Sequence, residues 1–272
     1  MTISIIAGKG NFPKIIAENS LISLVVCVNG LSNPNNFKNK TIKVSLLEID
    51  KLIEKLNYYK IKKIVFAGKF LRPKLNQNKI DRSSRKLINQ ISYKGDEVSL
   101  NIIKSFFLNK GFEIISPSIL LKNNFIKNDI IFSKNNDEKK IKFLKKSAKN
   151  GIKLLNKISN FDIGQSVVLL DKHIIGIEGL EGTNELIRRC GMLYEKYLKH
   201  VYEYGPILVK FPKKNQLLDF DMPVIGIDTI KLCSKNKFLG VVVSSYGTLV
   251  LDKNEILEFT RSKDIYFYST GG

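Results

Sequence analysis

Glu178-Gly-Leu-Glu-Gly-Thr-Asn-Glu-Leu-Ile-Arg-Arg189 places two carboxylates, Glu178 and Glu181, around a glycine turn that leads into a helix. A helix start presents unpaired N–H groups and the positive end of its dipole, so the turn at Gly182 and Thr183 suits a phosphate. A carboxylate beside a bound phosphate lets a divalent cation bridge the two. Glu178 and Glu181 are placed for that role. Arg188 or Arg189, about one and a half turns into the helix, could fold back onto the same anion. Thr183 is expected to cap the helix while its free N–H groups bind phosphate, and the competing reading is a surface capping turn.

A second glycine turn is Ala7-Gly-Lys-Gly-Asn-Phe-Pro13. Gly8 and Gly10 permit a tight turn or a close approach of backbone to an anion. Pro13 suits the first turn of a following helix, with Phe12 before it. Lys9 adds a positive charge between the glycines. In Phe66-Ala-Gly-Lys-Phe-Leu-Arg-Pro73, Gly68 follows another apolar run, and Lys69 and Arg72 could clamp phosphate, the arginine as a bidentate fork. Solvated charge is the plainer reading of that loop. Pro13 stands where a G-x-G-x-x-G fingerprint has its third glycine, which weakens the rival reading of a nucleotide-dependent oxidoreductase.

Four further segments carry chemistry-bearing residues. In Lys94-Gly95-Asp96-Glu97, Asp96 is placed as a helix N-cap, or as a carboxylate for a sugar hydroxyl or metal. Gln165 could hydrogen-bond a substrate, while Asp162 and Gly164 equally suit a turn. Lys210-Phe-Pro-Lys213 brings two cations. In Asp219-Phe-Asp-Met-Pro223 an extended chain would point Asp219 and Asp221 the same way, as for Mg²⁺ binding or general-base work. Loop acids answering nearby lysines explain that pair as well. His173, in an apolar strand-like run, and His200, in an amphipathic helix, are poorly placed as bases. Ser244-Ser245 lacks the glycines of a nucleophile elbow.

The elements that must position these residues alternate in the first half. Apolar runs Ile3–Ala7, Leu21–Val28, Lys63–Ala67 and Phe112–Ile115 read as strands. Helices are expected from Pro13 to about Asn19, over Leu46–Tyr59, Ser83–Ser92 and Glu97–Asn109. Buried strands separated by helices imply a parallel sheet covered on both faces, with ligands beyond the strands' carboxyl ends. The loops after Ala7 and Ala67 share that edge. Asn123–Asn150 breaks the composition with Lys, Asn and Asp, so the domains are expected to span 1–132 and 138–272. In the second half Ile141–Ser159 is an amphipathic helix. Strands are expected at Ser166–Leu170, His173–Ile177, Pro206–Lys210, Val224–Ile227, Leu239–Val243 and Thr248–Leu251, with helices after Thr183 and Thr229. The fold class is α/β, with a Rossmann-like first domain and a second α/β domain.

The 272 residues, 43% hydrophobic, suffice for two cores. No apolar run reaches the roughly 18 residues of a membrane span. The N-terminal run lacks the head and cleavage site of a signal peptide. Three widely spaced cysteines argue against a disulfide framework and for a cytoplasmic, reducing setting. The net charge of +20 comes with abundant Lys, Asn and Ile, as expected of an A+T-rich genome; the lysines read as spread along the chain and not gathered on one element. Such charge would still draw the protein to an anionic membrane face. The aromatic residues follow core periodicity and form no stacking platform for nucleic acid.

Together these segments resemble, nearly end to end, the LpxI family of UDP-2,3-diacylglucosamine pyrophosphatases of lipid A synthesis in Gram-negative bacteria. The matching pieces are Ile6–Pro13, Phe66–Pro73, Lys94–Asp96, Asp162–Gln165, Glu178 with Glu181–Thr183, Arg188–Arg189, Lys210–Lys213 and Asp221–Gly226. Their order and spacing carry the resemblance. It implies a Rossmann-like domain and an α/β domain holding the lipid substrate between them, a Mg²⁺ (or Mn²⁺) ion, and a possible homodimer. It further implies water attack on the sugar-side phosphorus, releasing UMP and 2,3-diacylglucosamine 1-phosphate. The family's essential aspartate matches Asp221, and its preceding lysines match Lys210 and Lys213. Three positions depart from the pattern. Lys9 stands where Gly is usual, Asn184 where Asp is usual and Asp219 where Arg is frequent.

Overall fold

The structure is a computed structural model that describes residues 2–70, 80–161, 163–213 and 222–271, with backbone alone at 96 and 97. It divides into two compact units, Met1–Lys122 and Asn123–Gly272.

The first unit runs β1 (Ile3–Ala7), α1 (Phe12–Ala17), β2 (Ile22–Val28), β3 (Thr41–Val44), α2 (Ile49–Tyr58), β4 (Lys63–Ala67), α3 (Arg82–Ile91), α4 (Asp96–Asn109), β5 (Glu113–Ile114) and α5 (Pro117–Leu120). All five strands are parallel, in the order β3-β2-β1-β4-β5. Both faces of β1 are covered, which is why Ile3-Ser-Ile-Ile-Ala7 is a continuous buried run rather than an alternating one. The strand order reverses between β1 and β4, and such sheets bind ligands beyond the carboxyl ends at that point. Strand β3 was not expected from the sequence. Helix α4 begins at Asp96 with Gly95 in the cap position, so Asp96 is the first helical residue and not the cap.

The second unit comprises β6 (Ile130–Phe132), α6 (Glu138–Ile158), β7 (Ser166–Leu170), β8 (His173–Ile177), α7 (Thr183–Leu193), β9 (Ile207–Lys210), β10 (Val224–Ile225), α8 (Ile227–Lys235), β11 (Gly240–Ser244), β12 (Leu249–Val250), α9 (Lys253–Ser262) and β13 (Tyr266–Thr270). Six strands form one sheet in the order β6-β13-β11-β9-β7-β8. Strands β13, β11 and β9 are parallel; β6, β7 and β8 run antiparallel to their neighbours. Strands β10 and β12 pair only with each other, in parallel. Strand β6 falls within 1–132, yet it pairs with β13 and belongs to the second unit.

Alternation along the strands builds two cores on this sheet. Val167, Leu169, Val209, Val242, Tyr266 and Tyr268 pack against Leu144, Ala148, Ile152 and Leu155 of α6. Val168, Leu208, Val241, Val243 and Phe267 pack on the other face against residues of α7, α8 and α9, including Leu186, Ile230 and Ile256. Helix α6 lies so close to the sheet that a Cβ on Gly151 would meet Val209 Cγ2 at 2.8 Å. The same helix carries eight lysines and one glutamate, so the lysines are not spread evenly as the sequence suggested. Among the described residues no helix is long and apolar enough to cross a membrane.

Candidate functional site

In the first unit the two glycine turns zip together at the end of the central strands. The Gly8 N–H donates to the Ala67 carbonyl (2.8 Å), and Lys9 and Lys69 exchange a reciprocal pair of backbone hydrogen bonds, 2.9 Å each. This pairing explains the glycines. A Cβ on Gly8 would sit 2.8 Å from the Lys69 carbonyl oxygen. Gly68, at φ +91°, would place one 2.8 Å from the Lys9 carbonyl oxygen and 2.9 Å from Pro13 Cγ. Gly10 has φ +111° with open space around it. Lys9 and Lys69 are exposed, and Phe12 and Pro13 open α1, a helix of only six residues. Arg72 lies outside the described residues.

In the second unit a polar chain crosses four elements. Lys210 Nζ, at the end of β9, donates to Thr183 Oγ1 at 2.9 Å. Thr183 Oγ1 donates in turn to Glu178 Oε1 at 2.7 Å, and the Gln165 backbone N–H donates to Glu178 Oε2 at 3.0 Å. Strand register sets this up. Lys210 lies opposite Ser166, and the Phe211 N–H donates to the Gln165 carbonyl at 3.0 Å. Glu178 is buried beyond the end of β8. It fits only because residue 164 is glycine, where a Cβ would meet Glu178 Cβ and Cγ at 2.5 Å.

Thr183 is the first residue of α7; Gly182, at φ +81°, occupies the cap position and no side chain caps the helix. The expected threonine cap is therefore corrected. The hydroxyl is spent on the Lys210–Glu178 link, and a left-handed glycine makes the entry turn. The first N–H groups of α7 point out of the helix beside an ammonium group, as an anion site requires.

The other candidates are placed differently. Glu181 is exposed, and Arg189 grips it through Nε at 3.2 Å and Nη2 at 3.1 Å. Its own backbone N–H, with Arg189, holds its carboxyl below the usual range against partial desolvation. Arg189 Nη2 also donates to the Ile177 carbonyl at 2.6 Å. Arg188 pairs with Glu185, and Asn184 is exposed. Gln165 and Lys213 are half-buried. His173 opens β8 at the end away from Glu178, five residues and about 17 Å along an extended chain. Asp162, Asp219 and Asp221 lie outside the described residues. Among the described residues no three His, Cys, Asp or Glu side chains converge on a metal position. They offer Glu178, with a donor on each oxygen, and Glu181, paired to Arg189. That donor set does not by itself make a Mg²⁺ site.

Two features escaped the sequence reading. One is the seat that Gly164 makes for Glu178, which depends on a contact between separate strands. The other is a set of three buried hydroxyls, Ser166, Ser245 and Thr248, with no hydrogen-bond partner among the described residues. Ser166 faces Lys210 in register, and the other two flank the turn after β11. All three lie at the carboxyl edge of β9 and β11. Two of them stand in Ser244-Ser245-Tyr-Gly-Thr248, a polar turn whose pattern does not show that its hydroxyls are buried.

The comparisons with known proteins agree with this layout. The model of the LpxI N-terminal domain matches residues 2–124, and that of the LpxI C-terminal domain matches residues 132–268. The chain is 22% identical over 262 residues to the UDP-2,3-diacylglucosamine pyrophosphatase LpxI of Caulobacter vibrioides, covering 94% of this chain and 92% of that protein. With both domain models matched in order and along nearly the whole sequence, the chain belongs to the LpxI family.

Proposed function

We propose that the protein hydrolyses the pyrophosphate bond of UDP-2,3-diacylglucosamine to UMP and 2,3-diacylglucosamine 1-phosphate. The relative's activity supports the reaction class. The observation that carries it on this chain is the Lys210–Thr183–Glu178 link at the start of α7. That link fixes an ammonium beside unpaired helix N–H groups, where a phosphoryl oxygen would be stabilised electrostatically. Water forms a bond to the sugar-side phosphorus, the bridging P–O bond breaks, and UMP leaves with the bridging oxygen.

Asp221, with Lys213, is the proposed catalytic partner of this site, orienting the water or holding a divalent cation. Mg²⁺ or Mn²⁺ held there would offset charge on the diphosphate. Glu178 acts in this reading as the buried anion that keeps Thr183 and Lys210 in place. The paired turns at Gly8–Gly10 and Gly68–Lys69 stand at the carboxyl edge of the first unit's own sheet, where that unit would take an anion. The oxidoreductase alternative is not favoured, because Pro13 replaces the third glycine and α1 is too short to serve as the phosphate-binding helix of a dinucleotide fold.

The test is incubation of the purified protein with UDP-2,3-diacylglucosamine and Mg²⁺, with chelator added to a parallel sample. UMP should form in the first sample and stop in the second. UMP formation at the same rate in both would remove the cation from the proposal, and none in either would overturn the reaction.

A further inference from the structure

Of the eight lysines on α6, Lys145, Lys149, Lys153 and Lys157 recur at four-residue intervals. That spacing puts them on one face of the helix, over about 18 Å. Together with Ile152 and Tyr268 of β13 they line an open groove of about 830 Å³. Lys145 is tied down, 2.8 Å from Asp129 and above the Tyr268 ring at 5.6 Å. Lys149, Lys153 and Lys157 are exposed, and none has an acidic partner among the described residues. The opposite face of α6 is consumed by the core, so the helix is a fixed platform that cannot itself insert into lipid.

We propose that this groove docks the protein on an anionic bilayer, seating phospholipid headgroup phosphates among Lys149, Lys153 and Lys157. Charge complementarity names an anionic partner. The floor chooses between the two common kinds. Ile152, Ala148 and the buried ring of Tyr268 make it apolar, which suits the glycerol and upper acyl region below a phosphate. A single-stranded nucleic-acid site built for its ligand adds stacking rings or arginine forks to its lysines, and α6 offers neither. Basic residues near such a surface each contribute roughly fivefold in partitioning. Docking of this kind goes beyond the proposed reaction and stands whether or not the reaction is right.

The experiment is flotation of the whole protein with vesicles of phosphatidylcholine alone or with added phosphatidylglycerol, at low and high salt. Wild type should float only with the anionic vesicles, and less at high salt. The triple variant Lys149→Gln, Lys153→Gln, Lys157→Gln should bind roughly 100-fold more weakly. A control triple, Lys172→Gln, Lys231→Gln, Lys263→Gln, removes the same charge from exposed positions elsewhere and should lose far less. Circular dichroism checks that both variants fold. Equal losses in the two triples would mean that net charge alone drives binding and would overturn the proposal. So would failure of wild type to bind anionic vesicles, or, in a parallel mobility-shift assay with duplex RNA, stripe-dependent binding to the polynucleotide alone.

Discussion

Lys210 Nζ, at the last position of β9, donates a 2.9 Å hydrogen bond to Oγ1 of Thr183, the first residue of α7. The bond couples a strand end to a helix start and sets the lysine ammonium at the first residue of that helix. Thr183 donates its own O–H to a buried carboxylate, so the hydroxyl has one orientation. A short hydroxyl between a cation and an anion thus fixes where a phosphate would be held.

Thr183→Val keeps the shape and removes the hydroxyl. It leaves Glu178 Oε1 without that donor in a buried setting, at a cost of about 1–3 kcal/mol in unfolding free energy. Turnover should fall on the order of tenfold or more, matching a kcal/mol-scale loss of transition-state stabilisation. Thr183→Ser should restore most of both. Urea unfolding and UMP release measure the two effects.

Asp221→Ala should fold and be nearly inactive. Loss of a carboxylate that holds a cation or orients the attacking water costs several kcal/mol in the barrier, by analogy with metal-assisted hydrolysis generally. Near-wild-type turnover of the purified variant would remove Asp221 from the mechanism.

Gly68→Ala tests the paired turns of the first unit. The new methyl meets the Lys9 carbonyl oxygen at 2.8 Å, and φ is +91°. Strain of that kind costs about 1–3 kcal/mol. Gly10→Ala has φ +111° but free space, so it should cost less. Denaturant midpoints rank the pair, and the reverse order would contradict the zipped arrangement.

Alkaline pH should destabilise the fold through its cysteines. Burial raises the Cys190 thiol to about 11 and pushes Cys27 and Cys233 upward as well. The native thiol therefore keeps a proton that the unfolded chain releases near pH 9. Its contribution is complete below that pH and fades as pH rises toward 11, by on the order of 2–3 kcal/mol for Cys190. Cys190→Ala should flatten the decline in unfolding free energy over this window. Thiol reagents should label none of the three buried cysteines until the protein unfolds.

The parts that local patterns determine were legible. Gly8 and Gly68 were placed at one sheet edge because both follow buried apolar runs, and the structure pairs their turns. Strands β7, β8 and β9 lie within a residue of their expected limits. Strand β3 was missed because Thr41–Val44 is a short edge strand next to a polar loop. Strand β6 lies in a Lys- and Asn-rich stretch read as a boundary, and only its pairing with Tyr268 and its neighbours makes it a strand. Helix α9 and β13, beyond Leu251, drew no expectation. The same limit applies at the site. Thr183 looked like a cap because capping is local, whereas its bonds to Lys210 and Glu178 join segments that only the fold brings together. The lysine stripe of α6 was visible as four-residue spacing but was read as part of an even spread.

In the proposed reaction water attacks the sugar-side phosphorus. Hydrolysis of UDP-2,3-diacylglucosamine in ¹⁸O-water tests it most directly, with both products examined by mass spectrometry. One ¹⁸O should appear in the phosphate of the diacylglucosamine 1-phosphate, and the UMP should stay unlabelled. Label in UMP would place the attack on the other phosphorus, and absence of both products would contradict the account as a whole.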